Sequence, residues 1–281
     1  MRAKKIRLIH SIPPIWIYLI LVFVLSWPIL IYGFGWFSSS ANILKRYLLS
    51  CTGMLMVAFS AFFTRTYVER KGFKDVGWNV GHCKWYLAAL IFCIFLWLVP
   101  PLAALLFGKL EWNQSISREE LIVVILSLGG FSLLAGFGEE FGWRGYLLPR
   151  LLHDRKITSL VLLIVGIIWG IWHCAVAIGP FLNSGLNGAS GGLSTIGPML
   201  VRCFQVIAAS VALSFIFGAM WLKSKSIFLI SFFHGYWIGI RDSVTILVTY
   251  PAAFRLITLG IVLIAWFVAN QWLRIFEGKN R

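Results

Sequence analysis

Apolar residues fill long blocks of the chain, and polar residues gather in short clusters between them. Eight blocks approach or exceed the roughly 20 residues that a helix needs to cross a bilayer. They run over 13–34, 45–65, 85–107, 121–141, 158–178, 197–222, 226–243 and 254–273. The pattern predicts an all-α protein, a polytopic membrane helix bundle of about eight transmembrane helices. Little chain is left for anything else, so residues 1–281 read as a single integral membrane domain. The first block is longer than the h-region of a signal peptide, despite the small residues at 38–41, and is read as a span. Pro28 within it is compatible with a membrane helix.

The connections carry less information. Segment 66–83 is basic and contains glycine; it reads as a cytoplasmic loop that touches the interface through Phe73 and Trp78. Segment 179–198 is uncharged and rich in Gly and Ser. Such a composition packs no core of its own, so a mobile linker is expected there in preference to a substrate gate. Arg202, in the sixth block, reads as a structural residue whose head snorkels toward the interface.

Composition confirms the membrane class and removes one alternative. The chain is 59% hydrophobic with only 10 acidic residues, and its net charge is +15. A charge of that size suggests nucleic acid, but its distribution does not. With the N-terminus in the cytoplasm and eight spans threaded, most of the 25 Lys and Arg fall on the cytoplasmic side, in 2–7, 65–84, 144–156, 223–225 and 274–281. That bias sets orientation in membrane proteins. It places both termini in the cytoplasm, fits a bacterial plasma membrane, and makes membrane lipid the expected partner of the basic residues. Nucleic acid is not an expected partner. The five cysteines form no CxxC pair, so neither a disulfide framework nor a thiolate zinc site is implied. Cys174 reads as a small apolar core residue.

Ionisable residues inside membrane helices are unfavourable and mark functional sites by default. Here they fall in three places. "GEEFGWR" holds Glu139, Glu140 and Arg144, "GIIWGIWH" ends on His173, and "SFFHGYWIGIRD" holds His234, Arg241 and Asp242. On a helix, Glu140 and Arg144 stand at i and i+4 and can pair. Glu139 is turned about 100° away and is left to face the bundle interior. A carboxylate so placed can take a proton from water. Gly166 and Gly170 precede His173, and Gly235 and Gly239 follow His234; small residues at these spacings let neighbouring helices approach closely.

Two chemistries suit two glutamates and two histidines. In one, His173, His234 and Glu139 hold zinc with a fourth position open for water. In the other, no metal is needed: Glu139 deprotonates water and the histidines stabilise the oxyanion on the scissile carbonyl. No HExxH, GxSxG or paired-Asp motif is present.

Glu-Glu-x-x-x-Arg, then an aromatic residue four before a His, then a later intramembrane His, resembles the CPBP family. This is the CAAX protease and bacteriocin-processing group of intramembrane proteases, also called Abi, which includes the type II CAAX prenyl endopeptidases. The resemblance covers about 119–243, a CPBP-like catalytic core. It implies that Glu139 activates water, that Glu140 and Arg144 support it, and that His173 and His234 bind a metal or stabilise the oxyanion. The second motif stands here as Trp169 and His173, where the family usually has phenylalanine. The third, usually His-x-x-x-Asn, stands as His234 and Ile238. Isoleucine offers no hydrogen bond, and Asp242 would replace the missing group only if the helix stayed regular. The implied function is intramembrane endopeptidase, a hydrolase acting on a peptide or a prenylated protein, with zinc or without. The alternatives are a member of the same fold without catalysis, acting as scaffold or immunity factor, and a transporter using Glu139, His173 and His234 as a relay.

Overall fold

The computed structural model describes residues 13–37, 42–154, 158–186 and 192–279. The basic cluster Arg2, Lys4, Lys5 and Arg7, the small residues 38–41, Arg155, Lys156 and Arg281 lie outside the described residues. The architecture is an all-α bundle: α1 Pro14–Trp36, α2 Ile43–Phe63, α3 Cys83–Leu106, α4 Arg118–Leu128, α5 Phe131–Gly142, α6 Leu148–Asp154, α7 Thr158–His173, α8 Ala175–Leu186, α9 Gly192–Ser224, α10 Ile227–Leu247 and α11 Arg255–Lys279. Two short strands, β1 Glu111–Trp112 and β2 Val248–Thr249, pair antiparallel and tie the start of the α3–α4 connection to the end of α10.

Among the described residues, six helical segments are long and apolar enough to cross a membrane, and the bent pair α4 with Phe131–His153 makes a seventh. The remaining apolar block of the sequence forms α10. Its 21 residues span about 31 Å at 1.5 Å per residue, enough for a hydrocarbon core. However, His234, Arg241 and Asp242 lower its apolarity, and it is buried on most of its surface. It is a helix of the protein interior, where polar side chains meet protein instead of lipid. At the other extreme, only 6% of the α11 span is buried, and Leu259, Leu263, Ile264 and Phe267 face outward as a lipid-facing helix would.

Two other expectations change. The segment 179–198 is not a linker where it is described: 179–186 continue α8 and 192–198 open α9, while 187–191 lie outside the described residues. Glycine explains the first part. A Cβ on Gly179 would stand 2.4 Å from the carbonyl oxygen of Ile31, so α8 crosses α1 backbone to backbone. The basic 66–83 segment is also fastened to the protein. Phe73 stacks on Phe62, with ring centroids 5.4 Å apart, and meets Phe141 at 5.9 Å. The buried Arg65 donates to the carbonyl of Gly72 and pairs with Asp75. Partial burial pushes the Asp75 carboxyl up, but the Arg65 hydrogen bond and charge outweigh it and hold the group below its usual range.

The site is positioned by glycines. Gly129–Gly130 breaks the chain between α4 and α5 with a 60° bend, and Gly130 takes a φ of +96° that an L side chain rarely adopts. From there α5 runs against α2 and α10 with almost no side chain between the backbones. A Cβ on Gly136 would stand 2.6 Å from the Ser231 oxygen and 2.7 Å from the Gly235 nitrogen; one on Gly138 would stand 2.8 Å from the Met54 oxygen. Gly235 and Gly239 make the reciprocal approach from α10, at 2.8 Å from Leu133 Cα and 2.6 Å from the Ser127 oxygen. Gly166 and Gly170 do the same for α7 on α9, against Val211 and Ile207. The small-residue faces read in the sequence are therefore real crossings. Gly136→Ala is expected to force α5 and α10 apart, lowering stability by about 1–3 kcal/mol. A thermal melt of the detergent-solubilised variant at the wild-type midpoint would show that the crossing tolerates a methyl group.

Candidate active site

Three helices bring the expected residues to one place. Glu139 and Glu140 lie on the last turn of α5, and both are fully buried. After them the helix widens into a π turn, Trp143–Leu147, which carries Arg144. Such turns often occur at functional sites. His173 ends α7 with Trp169 one turn before it, and His234 lies in the middle of α10.

The two carboxylates are divided as their helical phase requires. Glu140 Oε1 accepts from Arg144 Nη1 at 2.9 Å and from His234 Nδ1 at 2.7 Å. Glu139 turns the other way, and its Oε2 accepts from Trp169 Nε1 at 2.5 Å. The i, i+4 ion pair expected from the sequence is present. The third member, His234, is 94 residues away in sequence and reaches Glu140 only because Gly136 and Gly235 let α5 and α10 touch.

Trp169 is the hub of the arrangement. Its ring meets His173 edge-on at 5.3 Å between centroids and His234 edge-on at 5.6 Å. The Arg144 guanidinium lies over the Trp169 ring at 4.4 Å and near the Phe217 ring at 4.9 Å. Arg144 is thus held by a carboxylate on one side and by two aromatic faces on the other, which suits its weakly hydrated planar cation. The aromatic that stands where the resembling family has phenylalanine adds an N–H donor, and that donor is aimed at Glu139.

Each imidazole has one nitrogen committed. His173 Nδ1 lies 3.0 Å from the Trp169 carbonyl, so that nitrogen carries the proton, and His234 Nδ1 faces Glu140. In a neutral ring protonated at Nδ1, Nε2 is left as an acceptor. Glu139 Oε1, Glu140 Oε2 and Arg144 Nη2 are buried and find no partner among the described residues. Buried polar atoms of that kind normally meet water or a ligand.

His173, His234 and Glu139 are the candidate zinc ligands. Among the described residues, no three His, Cys, Asp or Glu side chains are grouped so as to hold a metal ion. The protein contacts explain part of this: His234 turns one nitrogen to Glu140 and Glu139 turns one oxygen to Trp169.

Three contributors escaped the sequence reading. Phe217, on α9, packs on His234 with ring centroids 5.2 Å apart, but an aromatic in an apolar helix gives no signal. Trp172 touches His173 at 4.8 Å. Arg241, singled out in the sequence as an ionisable residue but given no role there, is the third: it lies within electrostatic range of both Glu139 and His173. At i+7 from His234 it returns to the same helix face, at about −20°, whereas Asp242 is turned away. Asp242 does not replace the missing asparagine; it accepts from Arg241 Nε at 2.8 Å. Ile238 is buried and apolar, as its side chain requires.

Fold and site together define a polytopic helical membrane protein with a buried carboxylate–histidine centre. Residues 119–240 match the family model described as Type II CAAX prenyl endopeptidase Rce1-like. The match agrees with the resemblance to the CPBP proteases, contains both glutamates, Arg144 and both histidines, and supports a CAAX-type intramembrane protease function. No curated protein matches the chain.

Proposed function

We propose that the protein is an intramembrane endopeptidase that hydrolyses a peptide bond with water activated by Glu139. The observation that carries this reading is a fully buried carboxylate with one oxygen fixed by Trp169 and the other without a partner among the described residues, in a site where the Trp169 ring meets both histidines. Glu139 takes a proton from water, and the hydroxide adds to the scissile carbonyl. The developing oxyanion is stabilised from the side of the two histidines, His173 held through Nδ1 by the Trp169 carbonyl and His234 through Nδ1 by Glu140. Glu140 orients His234 through Nδ1 and is itself held by Arg144. Glu139 then returns its proton to the leaving amine, which balances the step.

The family description makes prenylated peptides of the Cys-aliphatic-aliphatic-X type the first substrates to try. The basic side chains at the loops support an integral membrane setting with both termini cytoplasmic. Cleavage of such a peptide by the protein in liposomes tests the reading. Activity is expected to survive exhaustive chelation. Loss on chelation with recovery on adding zinc would replace the metal-free mechanism and give His173 and His234 to a metal.

A further inference from the structure

The crossing of α7 on α9 continues past its glycines. Three contacts set its register. Ser214 Oγ donates to the Leu162 carbonyl at 2.9 Å, a Cβ on Gly166 would stand 2.7 Å from Val211 Cα, and one on Gly170 would stand 2.5 Å from Ile207 Cα. Each step of four residues along α7 matches a step of three or four residues back along α9. The helices therefore run antiparallel and stay close for about two turns. One further step takes Gly170 to Cys174 and Ile207 to Cys203. The two thiols interact, side chain to side chain. Both cysteines are free; Cys174 is buried and Cys203 is partly exposed.

Their place in the fold gives the contact a use. Cys174 is the joint between α7 and α8: it directly follows His173, and its carbonyl accepts from the backbone N–H groups of Ala177 and Ile178. Helix α1 already holds this corner from one side, where Trp27 Nε1 donates to the Trp172 carbonyl at 3.0 Å and Trp172 Nε1 to Ser26 Oγ at 2.6 Å. A covalent bond to α9 would hold it from the other. Core packing accounts for one small apolar cysteine at Cys174, but it gives no reason for a second sulfur at the facing position. A disulfide needs Cα atoms within about 7 Å of each other, a separation that two helices reach only where they cross closely.

We propose that Cys174 and Cys203 form a reversible disulfide that ties the α7–α8 corner, and with it His173, to α9. The step is thiol–disulfide exchange with a disulfide oxidant. The partly exposed Cys203 attacks one sulfur of the oxidant as a thiolate and releases the other as a thiol. Cys174 then displaces the remaining oxidant sulfur from Cys203. Two thiols become one disulfide, and the oxidant takes up the two electrons and two protons as two thiols. In the orientation proposed above, this end of α7 faces away from the cytoplasm, the side on which disulfides persist. The assignment does not rest on the hydrolytic reading of the carboxylate–histidine centre.

The test treats the purified protein in mild detergent with 4,4′-dipyridyl disulfide, a neutral aromatic disulfide that enters apolar surroundings. A thiol with no facing thiol keeps one pyridylthio group; a facing pair keeps none and closes on itself. Remaining thiols are blocked with N-ethylmaleimide, and the protein is digested without reduction and mapped by mass spectrometry. A linked peptide holding Cys174 and Cys203 is expected, and dithiothreitol should separate it. In Cys174→Ser, Cys203 should instead keep its pyridylthio group. The linked protein should melt above the reduced one, and Cys174→Ser should lose that difference. Cys174 and Cys203 each carrying a pyridylthio group, either remaining free, or either linked to another cysteine or to a second chain would overturn the pair.

Discussion

Glu139→Gln is expected to lower peptide cleavage by about 10²- to 10⁴-fold, the contribution typical of a positioned general base. The substitution is nearly isosteric. The amide oxygen of glutamine can still accept from Trp169 Nε1, so the contact that fixes the side chain survives. The variant should therefore fold, elute as the wild type does and melt close to it. What it loses is the capacity to hold a proton between water and the leaving amine. Glu140→Gln makes the contrast, because it weakens the bonds to Arg144 and His234 and should disturb both activity and the melt. If Glu139→Gln cleaves at the wild-type rate, Glu139 is not the base and the mechanism fails.

Arg144→Leu is expected to produce the largest loss of stability, about 3–5 kcal/mol, the range seen when one partner of a buried ion pair is removed. Arg144 is fully buried, and its loss leaves His234 as the remaining hydrogen-bond partner of Glu140 Oε1 among the described residues. It also removes the guanidinium from the faces of Trp169 and Phe217. Trp169 would then be free to tilt, and with it the donor to Glu139. Arg144→Lys should recover only part of the loss, since an ammonium keeps the charge but neither the plane nor the fork. The measurement is the thermal midpoint of purified protein in one detergent. An Arg144→Leu midpoint equal to the wild type would mean that the Glu140 pairing carries no net stability.

The parts of the site that were legible in the sequence depend on one helix at a time. Glu140 and Arg144 could be paired from their spacing, and Gly166, Gly170, Gly235 and Gly239 could be read as approach faces. The parts that were not legible depend on which helices meet. Nothing local says that His234 faces Glu140 or that the Trp169 indole points at Glu139. The first follows from a crossing set by glycines on α5 and α10, and the second from where α7 packs in the bundle. The same limit explains the fold. Apolar blocks located the helices, but apolarity alone could not separate α10, which is enclosed by protein, from α11, which is barely enclosed. At 179–198, Gly and Ser suggested a linker, although in a membrane bundle they also serve close helix packing. The i+7 return of Arg241 to the His234 face follows from helical spacing alone.

The near-naked contact of α5 with α10 has a consequence for the bilayer. A lipid bilayer that is too thick or too thin for its protein makes helices tilt or kink. Here the helices free to comply are those at the rim, above all α11 with 6% of its span buried. The pair that carries carboxylate and imidazole is locked main chain to main chain and has no side-chain cushion to deform. Mismatch would be absorbed at the rim, and the reacting groups would keep their spacing in membranes of different thickness.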